Sequence, residues 1–375
     1  MSELTDEVPL AQPVLGEEEE ALVLEVLRSG YLSLGPPGPR FEQDFAAFVG
    51  APHASAVSSG TAGLHLAIRA AGVKDGDEVI TSPFSFVASA NVVAYERATP
   101  IFADIDPVTL NVDPRAVAAA ITERTTALLP VHIFGYPADL PALEQLGLPI
   151  VEDACEALGA RHRDGPSVGA RGHAAVFGFY ANKQLTTGEG GMVTLGDAAA
   201  KQRIDSERNQ GRAPDMGWLD HDRLGFNYRM TDLQAAIGIA QVRRLARMLA
   251  DRVQVAGWYR EALASLVNEA GLTLPCEDHD GDERGWFVFV VQLPHGVDRD
   301  DTIRALRALG VQSKPYLPAI HLMSFYRERY GMRGGMFPVC EDVAARSVAL
   351  PFFPAMTQTQ VERVSLALGQ VLHTS

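Results

Sequence analysis

Lys183 stands alone where an apolar run ends. Val176-Phe177-Gly178-Phe179-Tyr180 has the composition of a buried strand, and the glycine-rich stretch Thr186-Thr187-Gly188-Glu189-Gly190-Gly191 follows the lysine. An amine left at the end of a buried strand is costly unless it is paired or used covalently. Apolar surroundings also ease its deprotonation, and a neutral amine attacks carbonyls to give a Schiff base. A surface lysine that merely follows a strand would show the same local pattern. The case for chemistry therefore rests on what the chain brings to the same place.

Two further groups lie upstream. Pro149-Ile150-Val151 reads as a short strand, and Glu152-Asp153-Ala154-Cys155-Glu156 follows it. Ligands of a parallel sheet sit beyond the carboxyl ends of its strands, where Asp153 could pair with the protonated ring nitrogen of a pyridine-type cofactor. Capping a helix is an equally good use for this aspartate. Ser58-Ser59-Gly60-Thr61-Ala62-Gly63 opens a segment in which Leu64, Ala67, Ile68 and Ala71 recur with helical spacing before Gly72. Free N–H groups and the positive end of such a helix suit a phosphate, although Ser59 or Thr61 would also serve as an ordinary cap. Neither G-x-x-x-x-G-K-[ST] nor G-x-G-x-x-G is present, so nucleoside triphosphate and dinucleotide sites lack their fingerprints.

The elements that must position these groups alternate. Strand-like runs centre on Ala56, Val79, Phe102, Leu129, Ile150, Phe177 and Val193, with helical patterns between them. One such helix starts at Asp113-Pro114-Arg115, with Asp at the N-cap and Pro at the first position. This alternation predicts an α/β fold with right-handed crossovers and a mainly parallel sheet. Upstream, Glu17 to Arg28 reads as a helix stopped by Gly30, and Phe41 to Phe48 as another after a Gly/Pro-rich loop. From Thr231 to about Leu263 the pattern stays helical, with Leu245, Met248, Leu249 and Val253 on one face and Arg243-Arg244 on a solvated one. We read this as the bridge between a large domain, residues 1–245, and a smaller C-terminal α/β domain, residues 246–375. The latter carries a strand over Trp286 to Leu293, a helix over Arg299 to Leu309, an extended run Val311 to Tyr316, and a T-x-x-Q capping box at Thr357–Gln360.

In this order the chain resembles the pyridoxal phosphate (PLP)-dependent nucleotide-sugar aminotransferases of the DegT/StrS type, within the fold type I PLP transferases. The resemblance is carried by Ser58 to Ala62, Thr81 to Ala88, Pro130-Val131-His132-Ile133-Phe134-Gly135-Tyr136, Glu152 to Gly159, the lysine block, Phe226 to Ala235, and Lys314-Pro315-Tyr316-Leu317-Pro318-Ala319-Ile320-His321. The lysine block is similar to the perosamine-synthase-like branch, where N-K-x-[IL]-T-T-G-E-G-G is usual. The resemblance implies a seven-stranded, mainly parallel sheet in the large domain and a homodimer with shared active sites.

Residue by residue, it implies that Lys183 holds PLP covalently and moves the reacting proton, and that Asp153 pairs with the ring nitrogen. Phe86 would stack on the ring, with its neighbour Phe84 left for the core. Gly60 and Thr61 would bind the phosphate, and Glu156 would lie beside the cofactor. Asn227 and Arg229 would reach the phosphate of the neighbouring subunit; a turn before the long helix is the plainer use for them. Tyr316 and His321 match the substrate side, and His132 and Tyr136 fall near the sugar pocket. The chain departs from the family at Gly178, where a phosphate-binding serine is common. The implied reaction moves an amino group from an amino acid, L-glutamate by resemblance, to a keto sugar on a nucleotide, of the 4-keto-6-deoxy kind in the perosamine branch. A PLP-dependent sugar dehydratase is the rival within the same chemistry, but such relatives replace the lysine with histidine. A non-catalytic regulatory protein of the same fold is the rival outside it.

Composition narrows the partners. The 375 residues carry a formal charge of −15, which disfavours nonspecific contact with nucleic acid or anionic membranes. An anionic substrate must therefore meet a local cluster of cations and helix N-termini. Cys155, Cys276 and Cys340 are too scattered for a disulfide framework or a zinc site, and Cys155 reads as a small packing residue. The acidic start of the chain lacks a signal-peptide pattern, and no apolar run nears the ~20 residues that span a bilayer. A cytoplasmic location is the expectation.

Overall fold

The computed structural model describes residues 7–213, 220–278 and 281–374. Seven strands form where the apolar runs predict them: β1 (His53–Val57), β2 (Glu78–Thr81), β3 (Thr99–Phe102), β4 (Thr125–Leu129), β5 (Val151–Asp153), β6 (Ala174–Gly178) and β7 (Gly191–Leu195). Continuous hydrogen bonding divides them into a four-stranded group, β1-β7-β6-β5, and a three-stranded group, β3-β2-β4. Isolated parallel bridges, Leu128 with Ile150 and Val131 with Asp153, place the two groups edge to edge. β2 and β7 are buried along their whole length, as strands covered on both faces must be.

Within this mainly parallel arrangement one strand departs. β7 runs antiparallel to both its neighbours, β1 and β6. The reason lies in the connection. A parallel return needs a crossover, usually a helix, and the segment between Gly178 and Gly191 contains none. The chain therefore turns straight back, and Gly191 pairs with both Gly178 and Val57. This reversal brings the start of β7 to the same edge as the ends of β1 and β6.

A second core forms around β8 (Phe289–Gln292), β9 (Lys314–Pro315) and β10 (Ser347–Leu350), an antiparallel sheet in the order β8-β10-β9. Phe289, Val291, Leu306, Val348, Val361 and Leu368 are packed in it. The strands are shorter than the extended runs read from the sequence. The long helix, Asp232–Ala262, begins with a reciprocal capping box between Thr231 and Gln234 and serves both cores. Leu245 and Met248 pack in the core that holds β6 and β7, whereas Val255 and Tyr259 pack in the second. Because the helix changes partners midway, Val253, expected on the buried stripe, is 54% exposed. Arg243 and Arg244 are not simply solvated: they pair with Glu18 and Glu19 and pin the Glu17–Ser29 helix against the long one.

Candidate active site

A cavity of about 500 Å³ opens at the edge where β1, β5 and β6 end and β7 begins. Gly60, Thr61, Phe86, Asp153, Glu156 and Lys183 all line it, as does Tyr316. Groups far apart in the chain are gathered there by the parallel order of the strands.

One end is built for an anion. Ser59 is the extended N-cap of the Gly60–Ala70 helix, and its hydroxyl accepts the Ala62 N–H at 3.1 Å. Gly63 N–H donates to the Ser59 carbonyl. The Gly60 and Thr61 N–H groups are left without an intrahelical partner, as first-turn donors are, at the positive end of the helix dipole. The loop is tied down by Ser58 N–H, which donates to the Tyr228 carbonyl at 2.8 Å.

The backbone approach at this end requires glycine. A Cβ at Gly60 would lie 2.8 Å from Cys155 Sγ and 3.3 Å from Gly178 Cα, and one at Gly178 would lie 3.3 Å from the same sulfur. Cys155, a packing residue as expected, thus occupies the space beside Gly178 that a serine side chain would enter.

Asp153 ends β5 in a buried position. Its Oδ2 accepts the Ser89 hydroxyl at 2.6 Å and its Oδ1 accepts the Cys155 N–H at 3.1 Å. No helix follows it, which removes the capping alternative. Ser85 lies 3.0 Å behind Ser89, so two buried hydroxyls back the carboxylate. The sequence reading missed Ser89, which faces Asp153 only through tertiary packing.

Lys183 Nζ lies 3.5 Å from Glu156 Oε1 and 4.0 Å from the centre of the Phe287 ring. Glu156 Oε2 accepts the Phe134 N–H at 3.0 Å. Burial pushes the Glu156 carboxyl up, with Lys183 pulling the other way. Burial, aided by the Glu156 charge, also holds the Tyr316 phenol well above its usual range. Phe84 and Phe86 divide as expected: Phe84 is fully buried, edge-on to Phe134, and Phe86 is 61% exposed at the cavity. Asn182, next to the lysine, has a buried side-chain oxygen with no partner.

Other predicted residues lie elsewhere. His321 does not reach the cavity. It is fully buried, with Nε2 3.0 Å from Glu341 Oε1 and its ring against Phe337. Its place in the short Ile320–Leu322 turn directs it inward. Within one chain, Arg229 is held by Asn209 at 2.9 Å and Gln210 at 3.2 Å and lines a separate cavity with Leu34 and Arg208. Asn227 is exposed beside it. His132 is buried, accepting the Ala138 N–H at Nδ1 and donating from Nε2 to Glu152. That arrangement braces the turn after β4, and Tyr136 is likewise buried away from the cavity.

An anion cradle, a buried carboxylate, an exposed aromatic face and an amine together fit a phosphorylated pyridine aldehyde. The fit rests on the Gly60–Gly178 approach, on the two unpaired first-turn N–H groups, and on the unpartnered Asn182 oxygen beside the amine.

Comparison with known proteins agrees. Residues 13–369 match the profile of the DegT/DnrJ/EryC1/StrS aminotransferase family. The chain is 40% identical over 374 residues to the GDP-perosamine synthase of Caulobacter vibrioides, covering 97% of this chain and 98% of that one. It is 38% identical over 382 residues to the spore coat polysaccharide biosynthesis protein SpsC of Bacillus subtilis, covering 97% of each. Among solved structures it is similar to DesV of S. venezuelae in complex with a ketimine intermediate, with a TM-score of 0.89 at 35% identity over 95% of this chain and 94% of that one.

Proposed function

The chain belongs to the DegT/DnrJ/EryC1/StrS aminotransferase family, and from that membership we propose that it aminates a keto sugar attached to a nucleotide, using L-glutamate as donor and PLP as cofactor. The observation that carries this reading is the convergence of the Lys183 amine, the Asp153 carboxylate and the Gly60–Thr61 helix start on one cavity. Such a cofactor would carry the amino group between the two substrates and withdraw electrons from the reacting carbon.

The chain's own residues supply the rest. Gly60 and Thr61 N–H groups bind a phosphate. Asp153, fixed by Ser89 and the Cys155 N–H, keeps a proton on the ring nitrogen. Phe86 covers one ring face. Lys183 takes a proton at Nζ from the donor's carbon and returns one to the sugar carbon, which lets one group serve both halves of a ping-pong reaction. Tyr316 stands at the substrate side. The 40% identity to a GDP-perosamine synthase favours a 4-keto-6-deoxy sugar as acceptor, and polysaccharide or amino-sugar biosynthesis as the setting.

The same reading treats the two strand groups as one seven-stranded sheet and divides the chain into domains at residues 1–245 and 246–375. It also makes the enzyme a homodimer. Exposed Tyr31, Leu34 and Leu224 are large apolar groups that a partner subunit would cover, and Asn227 and Arg229 would complete that partner's phosphate site. Among the described residues no helix is long and apolar enough to cross a membrane.

The test is a panel of keto-sugar nucleotides that varies the base and the keto position, with glutamate and PLP. Formation of 2-oxoglutarate and an amino sugar from a 4-keto-6-deoxy member is the expected result. Turnover only with keto compounds that carry no nucleotide would overturn the reading.

A further inference from the structure

The free amine of Lys183 has a place to rest. Glu156 comes from the turn after β5, and Phe287 from the chain just before β8. Both are buried, Glu156 at 6% exposure and Phe287 at 1%. Together they face Lys183 Nζ with one carboxylate oxygen at 3.5 Å and a ring face at 4.0 Å.

Neither wall can swing away easily. The second Glu156 oxygen is tied to the Phe134 N–H. The Phe287 carbonyl accepts from Arg252 Nη1 at 3.0 Å, and Nη2 of the same buried guanidinium reaches the Lys183 carbonyl at 3.5 Å. One side chain of the long helix thereby holds both the lysine and its aromatic wall. Of the other carboxylates that line the cavity, Asp153 already has each oxygen engaged, by Ser89 and by the Cys155 N–H, and Glu189 is exposed. Tyr316 and the Cys155 thiol are further titratable groups near Glu156.

A carboxylate oxygen and a ring face are the two surfaces that bind an ammonium ion, and an uncharged amine gains little from either. We propose that Glu156 and Phe287 form a resting niche that holds the Lys183 side chain inside the cavity when the amine is free and carries a proton. The catalytic meaning rests on the aminotransferase reading. Once the freed amine has taken the donor carbon's proton, the niche holds the resulting ammonium out of bulk water, ready to hand a proton on. Glu156 is then a positioning residue for Lys183, and Phe287, which the sequence reading did not single out, is its aromatic counterpart.

The test uses the full-length chain stripped of cofactor, in which the amine is free. Trace acetylation with acetic anhydride at mildly alkaline pH, followed by peptide mass spectrometry, reads the reactivity of Lys183 against exposed Lys74. Only the uncharged amine reacts, so loss of the niche speeds labelling. Glu156→Gln keeps an acceptor for Phe134 and removes the charge. It should raise the Lys183-to-Lys74 ratio roughly tenfold, the scale of one charge-assisted hydrogen bond. Phe287→Leu should raise it roughly threefold. An unchanged or lower ratio in both variants overturns the niche, and a rise in only one removes the other residue from it. Cofactor uptake by the wild-type chain, followed by its visible absorbance, is scored separately. A chain that takes up no cofactor defeats the aminotransferase reading without touching the labelling result.

Discussion

The Ser89 hydroxyl donates to Asp153 Oδ2 at 2.6 Å, and Ser85 stands 3.0 Å behind it. The carboxylate that the proposed function sets against a protonated ring nitrogen is thereby fixed by a buried donor. Ser89→Ala leaves that oxygen without a protein partner, a loss of about 1–2 kcal/mol, and should lower kcat roughly tenfold with the circular dichroism spectrum unchanged. Asp153→Asn should remove most activity, since an amide cannot keep the ring nitrogen protonated. Wild-type turnover by Ser89→Ala would show that the Cys155 N–H alone orients Asp153.

Gly178 and Cys155 are coupled through one small space. Gly178→Ser places its Cβ 3.3 Å from Cys155 Sγ and its hydroxyl beyond that. Overpacking of this kind should reduce stability by about 1–3 kcal/mol. Adding Cys155→Ala should restore most of the loss. Chemical denaturation of the two single variants and the double variant measures the coupling, and a coupling of zero would show that the two sites relax independently.

Acid should weaken the fold partly through His162. Burial, with the neighbouring His132 adding to it, lowers this imidazole to about 4 from 6.5. The unfolded chain therefore binds an extra proton between those values, and stability falls as pH drops from about 6.5 toward 4. His162→Phe preserves a ring against His132, which His162 meets edge-on at 5.7 Å. The stability curve of this variant should be flatter over that window, by an amount of the order of 2–3 kcal/mol at its acid end. Identical slopes for the variant and the wild type would remove His162 from the account.

Shared active sites predict complementation. Lys183→Ala and the double variant Asn227→Ala with Arg229→Ala should each be inactive. Mixed under conditions of subunit exchange, they should form heterodimers with one complete site and regain activity. No recovery, while tagged wild-type subunits exchange normally, would place Asn227 and Arg229 outside the partner's site.

Much of this site was legible because its parts sit at strand ends with distinctive neighbours. Gly60 and Thr61 follow an apolar run and open a periodic helix, Asp153 closes a short strand, and Lys183 interrupts an apolar-to-glycine transition. The seven strands were legible for the same reason, each being a buried run between helical patterns. Residues that act through tertiary approach were not. Ser89 and Phe287 look like ordinary helix and strand residues until packing brings them to Asp153 and Lys183. His321 shows the reverse error. Its motif suggested a substrate contact, but a single turn directs the ring at Glu341. The direction of β7 was hidden because apolar content marks a strand without marking its sense. Only the missing helix between Gly178 and Gly191 decides it.

The central claim is that the Lys183 amine carries the cofactor. Reduction of the PLP-loaded enzyme with borohydride, then proteolysis and mass spectrometry, tests it directly. The account predicts loss of the visible absorbance band and a stable pyridoxyl group on the peptide that contains Lys183, and on no other lysine. A pyridoxyl group on Lys74, Lys201 or Lys314, with Lys183 unmodified, would contradict it.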